Sequence, residues 1–558
     1  MTPIQPICTA ALLAYISWKL LSLARFYTHA RRTGFPVLIA PFPTKNLLWM
    51  VLTPIPQPLL KRYTPEPLYT RLDVAIYGWE CRQKAEVHAW LGKTFVLVTL
   101  DECTLWVADP TLSNVILQRR KDFMQPEIVG KVMGLFGPNV VTANCAEWQR
   151  QRKMVAPNLN EGISALVWAE SCRQASQMSR YLLSNPGNKT LSGLRCVAIN
   201  VLGFTGYGQR QRWTPDFESV EGETSQDGRG LYFETVSLVA GSLLEAALIP
   251  ARVLRLPFMP ARLRRLGRRK EGMPAYTKAV LDMERKQAGA RDIQLTSTGQ
   301  NSFLKALVKC ADEAERGAAS RLYLSDEEIS GNLFIFSVAG FETTANTMGY
   351  AVLFLAAYPE WQDWIHEELD SLPADTLTWK YEEVFPKCKR ILAVMYETLR
   401  LFTAVMHATR SITSPQTLPS TSTNTNTTHL LLPPMEIYIS MQIMHADADL
   451  WGADHADFNP SRWLDSYENL ITPPKGTFMP WSGGPRICPG MKMAQVEFVA
   501  TIAVLFRRVA VEPVPHCAES AREARGRLLG VMEGPVAQVS LQVRAPEKVH
   551  LRWMRVGE

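Results

Sequence analysis

Residues 478–490 read Phe-Met-Pro-Trp-Ser-Gly-Gly-Pro-Arg-Ile-Cys-Pro-Gly, a tight loop around a single thiol, Cys488. An apolar run with helical spacing, residues 491–508, follows directly. The free backbone N–H groups and the positive dipole end of a helix stabilise a thiolate at its N-terminus, and glycines allow a flat ligand to approach the backbone closely. The loop therefore suits a charged sulfur that binds a metal from one side. The alternative is an ordinary buried cysteine.

The loop resembles the haem-ligand loop of the cytochromes P450, the haem-thiolate monooxygenases, whose pattern is Phe-x-x-Gly-x-Arg-x-Cys-x-Gly. Gly484, Arg486, Cys488 and Gly490 match this pattern at the right spacing, and Trp481 replaces the usual Phe. The resemblance implies that Cys488 is the thiolate ligand of the haem iron. It also implies that Arg486 binds a haem propionate and that the two glycines belong to the haem-binding loop. The aromatic replacement at Trp481 bears on the tuning of the thiolate and leaves ligation intact.

Composition and charge exclude several other classes of protein. The 558 residues are 47% hydrophobic and 20% charged, which is typical of a globular protein with a large core. A formal charge of +7 is modest for this length and does not indicate nucleic-acid binding. The ten cysteines form no Cys-x-x-Cys pair and no zinc spacing with the nine histidines, which favours a reducing compartment.

The N-terminal segment predicts a membrane anchor. An apolar run from Ile7 to Ala24 is broken once, by Lys19, and the basic residues Arg25, Arg31 and Arg32 follow it. This is the pattern of an uncleaved anchor whose C-terminal side faces the cytosol. A run of this length barely spans a bilayer, and the alternative is an amphipathic surface helix. We therefore expect an anchor over residues 1–34 and a catalytic domain over residues 35–558.

A long helix is predicted to open with a capping box at Ser325–Glu328 and to stop before Pro359. It contains Ala-Gly-Phe-Glu-Thr-Thr at residues 339–344, where adjacent hydroxyl residues weaken the helix locally. From the residues alone, Glu342 is either a proton relay or a salt-bridged acid at a kink. The stretch resembles the P450 family's acid–alcohol signature at every position. The resemblance implies that Glu342 and Thr343 are catalytic and deliver protons during oxygen activation.

Three arginines are expected to contact haem propionates, and one tryptophan assists them. Trp148 and Arg152 lie at i and i+4 on one helix face, a spacing that alone indicates no more than a cation–π pair. They match the family's Trp-x-x-x-Arg pair, which implies that both bind a propionate, as Arg486 does. Arg410 falls where the family has another propionate arginine, although residues 403–405 lack the usual prolines.

Glu397 and Arg400 lie at i and i+3 in an apolar helix, and Arg462 follows downstream in Phe-Asn-Pro-Ser-Arg-Trp. On a helix surface such a pair stabilises little, but a buried charge needs several partners. Together the three residues resemble the family's Glu–Arg–Arg triad. The resemblance implies a structural role in folding and haem retention.

Smaller predictions concern strands and the substrate pocket. Residues 93–100 are a strand candidate, and two strand-like runs within residues 536–556 are expected to form a hairpin around residues 545–548. Pocket walls are expected from about residues 124–146, 334–342 and 403–407. These segments are largely apolar, which indicates a lipophilic substrate.

Four motifs in the family's order predict a mainly α fold with a small β region, the cytochrome P450 fold, as a single haem domain with an N-terminal anchor. The resemblance implies a monooxygenase that hydroxylates or epoxidises a small lipophilic substrate with O2. Electrons are expected from NADPH through NADPH–cytochrome P450 reductase, with cytochrome b5 as a second candidate partner. The expected location is the endoplasmic reticulum membrane, with membrane lipid as a further partner and the catalytic domain in the cytosol.

The style of the chain resembles fungal microsomal members, many of which modify terpenoids or polyketides in secondary metabolism. Two other functions remain open: a haem-thiolate isomerase or dehydratase that does not activate O2, and a non-catalytic haem-binding protein. The intact acid–alcohol pair disfavours both.

Overall fold

The computed structural model describes residues 4–40, 57–215, 241–291, 302–308, 323–420, 428–537 and 540–557, together with the single residues 232, 235, 236, 238 and 239. The chain divides into two compact units. The first comprises Met1–Ile128, Val405–Ala456 and Pro473–Ile487. The second comprises Val129–Ala404, Asp457–Thr472 and Cys488–Glu558. The predicted boundary between residues 34 and 35 stays a prediction.

The first unit combines short helices with most of the strands. Its helices are α1 (Ile4–Arg32), α2 (Gln57–Tyr63), α3 (Glu66–Asp73), α4 (Trp79–Gln83), α5 (Glu86–Leu91), α6 (Pro110–Gln118), the start of α7 (Glu127–Met133), α18 (Met441–His445) and α19 (Ala448–Trp451). Its strands are β1 (Val37–Ile39), β2 (Thr94–Val98), β3 (Cys103–Val107), β4 (His407–Ile412), β5 (Gln416–Pro419), β6 (Thr428–Leu431) and β7 (Met435–Ser440).

A five-stranded sheet in the order β1-β2-β3-β7-β4 forms the centre of the first unit. Both faces of β2 and β3 are buried, as expected from their β-branched and aromatic content. β2 confirms the predicted strand within residues 93–100. Strand β4 pairs antiparallel with β7, which sets Arg410 opposite Ile437. The sheet thereby fixes the position of a predicted site residue.

Helix α1 packs by its C-terminal half on the same sheet. Ala30 is fully buried in the core, and Leu23 and Phe26 pack against it. Lys19 forms an ion pair with Asp101. Several large apolar side chains of α1 remain exposed: Leu12, Leu13, Tyr15, Ile16, Trp18, Leu20 and Leu21. None of the helices in the described part of the chain has both the length and the apolar character needed to cross a membrane.

The second unit is mainly helical. Its helices are the remainder of α7, α8 (Cys145–Val155), α9 (Glu161–Ser184), α10 (Thr190–Tyr207), α11 (Leu243–Leu248), α12 (Ala251–Leu254), α13 (Ala261–Arg291), α14 (Asp326–Ala357), α15 (Pro359–Asp370), α16 (Tyr381–Val384), α17 (Lys389–Leu401), α20 (Met491–Phe506) and α21 (Ala521–Met532). Helix α9 packs along α20, and α10 packs along α14.

The long helix α14 confirms the sequence prediction at both ends. Ser325 and Glu328 form the capping box, and the 32-residue helix ends at Ala357, before Pro359. The helix is continuous through residues 339–344. There the hydroxyls of Thr343 and Thr344 donate to the carbonyls of Ala339 and Gly340, at 2.7 and 3.1 Å. These side-chain bonds accommodate the hydroxyl residues within the helix.

The predicted hairpin around residues 545–548 is wrong. Strand β9 (Val536–Ala537) pairs with β10 (Leu541–Gln542), so the chain turns earlier than expected. The last strand, β11 (Leu551–Arg555), pairs instead with β8 (Val509–Pro513). The physical reason is burial: Leu551 and Trp553 face inward, and β8 offers the matching alternation through Val509 and Val511.

Candidate functional site

Cys488 lies at the N-terminus of α20, as the loop sequence predicts. Its thiol is accessible to solvent although protein atoms crowd it on most sides. Desolvation raises the pKa of this thiol above its ordinary value, while hydrogen bonds from the backbone of Gly490 and Met491 and the charge of Arg152 oppose the rise. The backbone thus presents the donors that a thiolate needs.

Helix α8 brings Trp148 and Arg152 to the same side of the second unit as Cys488. Trp148 is buried and packs with Val140 and Ala143. Arg152 is half-buried, and its guanidinium makes no hydrogen bond or ion pair with any described residue. Desolvation lowers the pKa of Arg152, and the sulfur of Cys488 partly offsets this effect. A charge held in this way needs an anionic partner.

A polar network fixes α8 against the start of α14. Arg150 binds the Glu328 carboxylate through both terminal nitrogens, and Gln151 donates to it at 3.1 Å. Asn332 donates to the side chain of Gln151 at 2.9 Å and accepts from the backbone of Val140 at 3.0 Å. Desolvation alone would raise the pKa of Glu328, but the hydrogen bonds from Arg150, Ser325 and Gln151 lower it overall. The network therefore sets the position of the helix that carries Arg152.

The first unit holds Gly484 and Arg486, in the loop before Cys488, and Arg410, in β4, whereas Gly490 lies in the second unit. Gly484 and Arg486 form one turn of 3-10 helix. Gly484 has φ +65°, and a β-carbon there would overlap the carbonyl oxygen of Leu117, so this position requires glycine. At Gly490 a β-carbon would make only ordinary contact with the Cys488 sulfur at 3.9 Å. Protein packing alone therefore does not demand glycine there.

Arg410 is a buried cation on β4. Its Nη1 donates to the carbonyl of Thr409 at 2.7 Å, and its Nε has no hydrogen-bond partner among the described residues. Desolvation lowers the pKa of Arg410 to about 10. In the described residues it has no carboxylate partner, as is also true of Arg152.

These residues fit a haem. A thiol with two backbone donors suits a metal ligand that must be deprotonated. Two desolvated arginines that have no carboxylate partner in the described part of the chain suit a group that brings its own carboxylates, as a haem brings its propionates. The fit rests on the chemistry of the donor set within each unit.

The two members of the acid–alcohol pair do not hydrogen-bond to each other. Glu342 is buried at 1% exposure, whereas Thr343 is partly exposed and bonds to the backbone of its own helix. Consecutive helical residues point about 100° apart, which separates the two side chains. Desolvation raises the pKa of Glu342 to about 7, despite the opposing charge of Arg195. The carboxyl is therefore poised to exchange a proton near neutral pH.

Two partners of Glu342 escaped the sequence analysis. Gln542, on β10, donates its side-chain amide to Glu342 Oε1. Arg195, on α10, lies over the ring of Phe341 with its guanidinium carbon 5.2 Å from the ring centroid. The other oxygen of Glu342, Oε2, is buried without a partner in the described part of the chain. Nothing in the sequence pattern links residues 200 positions apart, so no signal could have found Gln542.

Glu397, Arg400 and Arg462 come together as the sequence suggested. Arg400 is fully buried and donates to both Glu397 oxygens, at 2.8 and 2.7 Å. Arg462 adds a bond of 3.1 Å, and the indole of Trp463 adds one of 2.9 Å. Asn459 completes the shell through its backbone N–H at 3.0 Å. Sequence reasoning missed Trp463 and Asn459, and the role of the cluster in haem retention stays a prediction.

Comparisons with known proteins agree with this geometry. The family model described as "Cytochrome P450" matches residues 78–535. A cytochrome P450 monooxygenase of the phomenoic acid biosynthesis cluster of Leptosphaeria maculans is 30% identical, over 92% of this chain and 93% of its own length. Cytochrome P450 monooxygenase prx9 of Penicillium rubens is 25% identical, over 90% of this chain and 91% of its own length.

Solved structures share the fold. A zebra fish cytochrome P450 with abiraterone superposes with a TM-score of 0.60 at 17% identity. The match covers 84% of this chain and 98% of that one. At this identity the likeness concerns the fold alone, a mainly helical one with a small β region.

Proposed function

The chain belongs to the cytochrome P450 family of haem-thiolate monooxygenases, and from this we propose that Cys488 is the thiolate ligand of its haem. The enzyme incorporates oxygen from O2 and receives its electrons through a redox partner, as the family does. The observation that carries the assignment is the position of the Cys488 sulfur, at the N-terminus of α20 with donors from Gly490 and Met491.

The proposed haem contacts are Trp148, Arg152, Arg410 and Arg486, with Gly484 and Gly490 in the loop. Arg152 and Arg410 have desolvated guanidinium groups without protein carboxylates in the described residues, so propionates would stabilise them. When bound, the haem supplies the oxygen chemistry, and the protein supplies the ligand, the protons and the exclusion of water. The Glu397–Arg400–Arg462 cluster has a structural role in this proposal.

Glu342 and Thr343 are proposed to manage proton delivery. Glu342 can give up and regain a proton near neutral pH because desolvation raises its pKa to about 7. Since the two side chains do not hydrogen-bond to each other, a proton passes between them through water or after a side-chain rotation. Thr343 is the more exposed of the two and is the group proposed to face the substrate.

The proposed substrate is a small lipophilic molecule of fungal-type secondary metabolism, a terpenoid or a polyketide. Two observations support this class. The relative from Leptosphaeria maculans is named for a phomenoic acid biosynthesis cluster. The accessible part of the predicted pocket wall on α14, at Phe336, Ala339 and Gly340, is apolar. The reaction is proposed to be C–H hydroxylation or epoxidation.

Membrane association through α1 is part of the proposal, with the endoplasmic reticulum as the location. Its support is the row of exposed apolar side chains on α1, which includes Trp18 and Leu21, followed by Arg31 and Arg32. NADPH–cytochrome P450 reductase at the same membrane is the proposed electron donor, with cytochrome b5 as a second partner. Replacing Leu20 and Leu21 with Glu should move the full chain from the microsomal pellet to the supernatant. Replacement of the exposed Tyr467 serves as the control.

Turnover in reconstituted membranes with reductase tests the activity. The proposal requires product formation that depends on both NADPH and O2, with candidate terpenoids and polyketides as substrates. Conversion without either cofactor would favour an isomerase or dehydratase. A haem-loaded protein that binds these compounds and consumes no NADPH in their presence would favour a non-catalytic haem-binding protein.

A further inference from the structure

The C-terminal hairpin β9–β10 docks on α14 through two side-chain bonds one helical turn apart. Gln542 donates to Glu342 Oε1, and Asn346 donates to the hydroxyl of Ser540 at 2.9 Å. The backbone N–H of Leu541 also bonds to the carbonyl of Ala404 at 3.0 Å. Residues 540–542 are thus each held by a hydrogen bond, and Gln542 binds the carboxyl group of the acid–alcohol signature, Glu342.

The hydrogen bond from Gln542 makes the two carboxyl oxygens of Glu342 different. A side-chain amide nitrogen can only donate, so Oε1 acts as the acceptor. The proton of the neutral acid therefore sits on Oε2. That oxygen is buried and has no partner among the described residues. Gln542 thereby selects which oxygen carries the transferable proton.

The charged surroundings of Glu342 do not provide this orientation. Among the described residues on the elements packed against α14, Arg195 is the charged group that acts on this carboxyl. Its guanidinium lies over the Phe341 ring and makes no hydrogen bond to Glu342. Arg195 therefore stabilises the Glu342 carboxylate by its charge alone. The orientation of the carboxyl group must come from the hydrogen bond with Gln542.

We propose that Gln542 is a positioning residue for the monooxygenase reaction. It holds the Glu342 carboxyl group so that Oε2 carries the proton to be delivered. In that step the Oε2–H bond breaks, and its electron pair stays on the carboxylate. The proton passes to a water molecule that relays it toward Thr343, and a second water supplies the replacement proton. This inference rests on the proposed proton-delivery role of Glu342.

The test compares three variants of the haem-loaded full chain. Gln542→Leu removes the donor and keeps the bulk. Ser540→Ala removes the neighbouring bond from Asn346 and leaves Glu342 untouched, which makes it the matched control for hairpin docking. Glu342→Gln identifies the carboxyl band of Glu342 in infrared difference spectra by subtraction.

The infrared titration judges the positioning directly and requires no turnover. Wild type and Ser540→Ala should give one narrow carboxylic C=O band with the same midpoint pH. Gln542→Leu should shift and broaden this band, and its midpoint should rise because the carboxylate loses a donor. An unchanged band in Gln542→Leu, or an equal change in Ser540→Ala, would overturn the proposal.

The rate of NADPH oxidation tests whether the orientation of Glu342 affects the reaction. With reductase and NADPH, Gln542→Leu should lower the rate of O2-dependent NADPH oxidation about tenfold and change its pH profile, since a misplaced proton donor slows transfer. Ser540→Ala should retain the wild-type rate. If Glu342→Gln itself left the rate and pH profile unchanged, the proton-delivery function would fail, and the infrared result would still decide whether Gln542 orients Glu342.

Discussion

Arg150 binds the carboxylate of Glu328 through both terminal guanidinium nitrogens, and this ion pair joins α8 to the first turn of α14. The same carboxylate closes the capping box by accepting from the backbone of Ser325 at 3.0 Å. Arg152 lies two residues beyond Arg150 on the same helix. The placement of a proposed propionate contact therefore depends on an acid that performs no chemistry.

Glu328→Gln should destabilise the folded chain by about 1–3 kcal/mol, because the partly buried guanidinium of Arg150 loses its charged acceptor. It should also speed the transfer of haem to apomyoglobin. Asp326→Asn is the control, since Asp326 is largely exposed and pairs with the partly exposed Arg285. Urea unfolding and haem-transfer kinetics measure both effects. Equal behaviour of the two variants would contradict the role given to the network.

The contribution of the Glu328–Arg150 pair to stability should decrease at acidic pH. The pKa of Glu328 is lower in the folded chain than the ordinary value of 4.5. Its stabilising contribution is therefore complete above pH 4.5 and is lost as the pH falls through the folded-state pKa. The difference in unfolding free energy between wild type and Glu328→Gln should shrink below pH 4.5.

Arg152→Leu should weaken haem retention and leave folding intact, because the guanidinium makes no bond to the described protein that would be lost. Lys153→Leu is the matched control, as its side chain is exposed on the neighbouring position of α8. Haem content per chain after gel filtration measures haem retention, and far-ultraviolet circular dichroism shows whether the variant is folded. Normal haem retention in Arg152→Leu would argue against a propionate contact.

Arg400→Ala should cost about 3–5 kcal/mol of stability, because it leaves the fully buried Glu397 without its bidentate partner. Arg462→Ala should cost less, about 1–2 kcal/mol, since Glu397 keeps Arg400, Trp463 and the backbone of Asn459. Thermal unfolding at matched haem loading measures the difference. A larger loss in Arg462→Ala than in Arg400→Ala would refute this ranking.

Glu342 should make the chain less stable as the pH rises through neutrality. Its pKa is about 7 in the folded chain against an ordinary value of 4.5, so the folded state holds the proton more tightly. Stability from this group is complete below pH 4.5 and is lost by about pH 7, a change of about 3 kcal/mol. Glu342→Gln should remove this slope. Parallel stability–pH curves for wild type and variant would contradict the raised pKa.

The sequence predicted what depends on local pattern. Short-range sequence patterns predict three features that the structure contains: the capping box at Ser325, the end of α14 before Pro359 and the helix after Cys488. Trp148 and Arg152 share a helix face because i and i+4 spacing decides this without tertiary information. Recognition of the family likewise rested on short motifs.

The sequence could not predict contacts between distant segments. Strand β11 pairs with β8 rather than with its nearest neighbour in the chain, because burial of Trp553 decides the partner. Gln542 meets Glu342 only through the docking of a two-residue strand, which carries no recognisable pattern. Glu342 and Thr343 are neighbours in the sequence, yet helical geometry points the two side chains apart.

Whether Cys488 binds the haem iron as a thiolate is decided by the Soret band of the ferrous carbon monoxide complex. The wild-type chain should give the red-shifted band typical of haem-thiolate proteins. Cys488→Ala, reconstituted with haem, should lose that shift, whereas Cys145→Ala should keep it. A red-shifted band retained in Cys488→Ala would contradict the assignment.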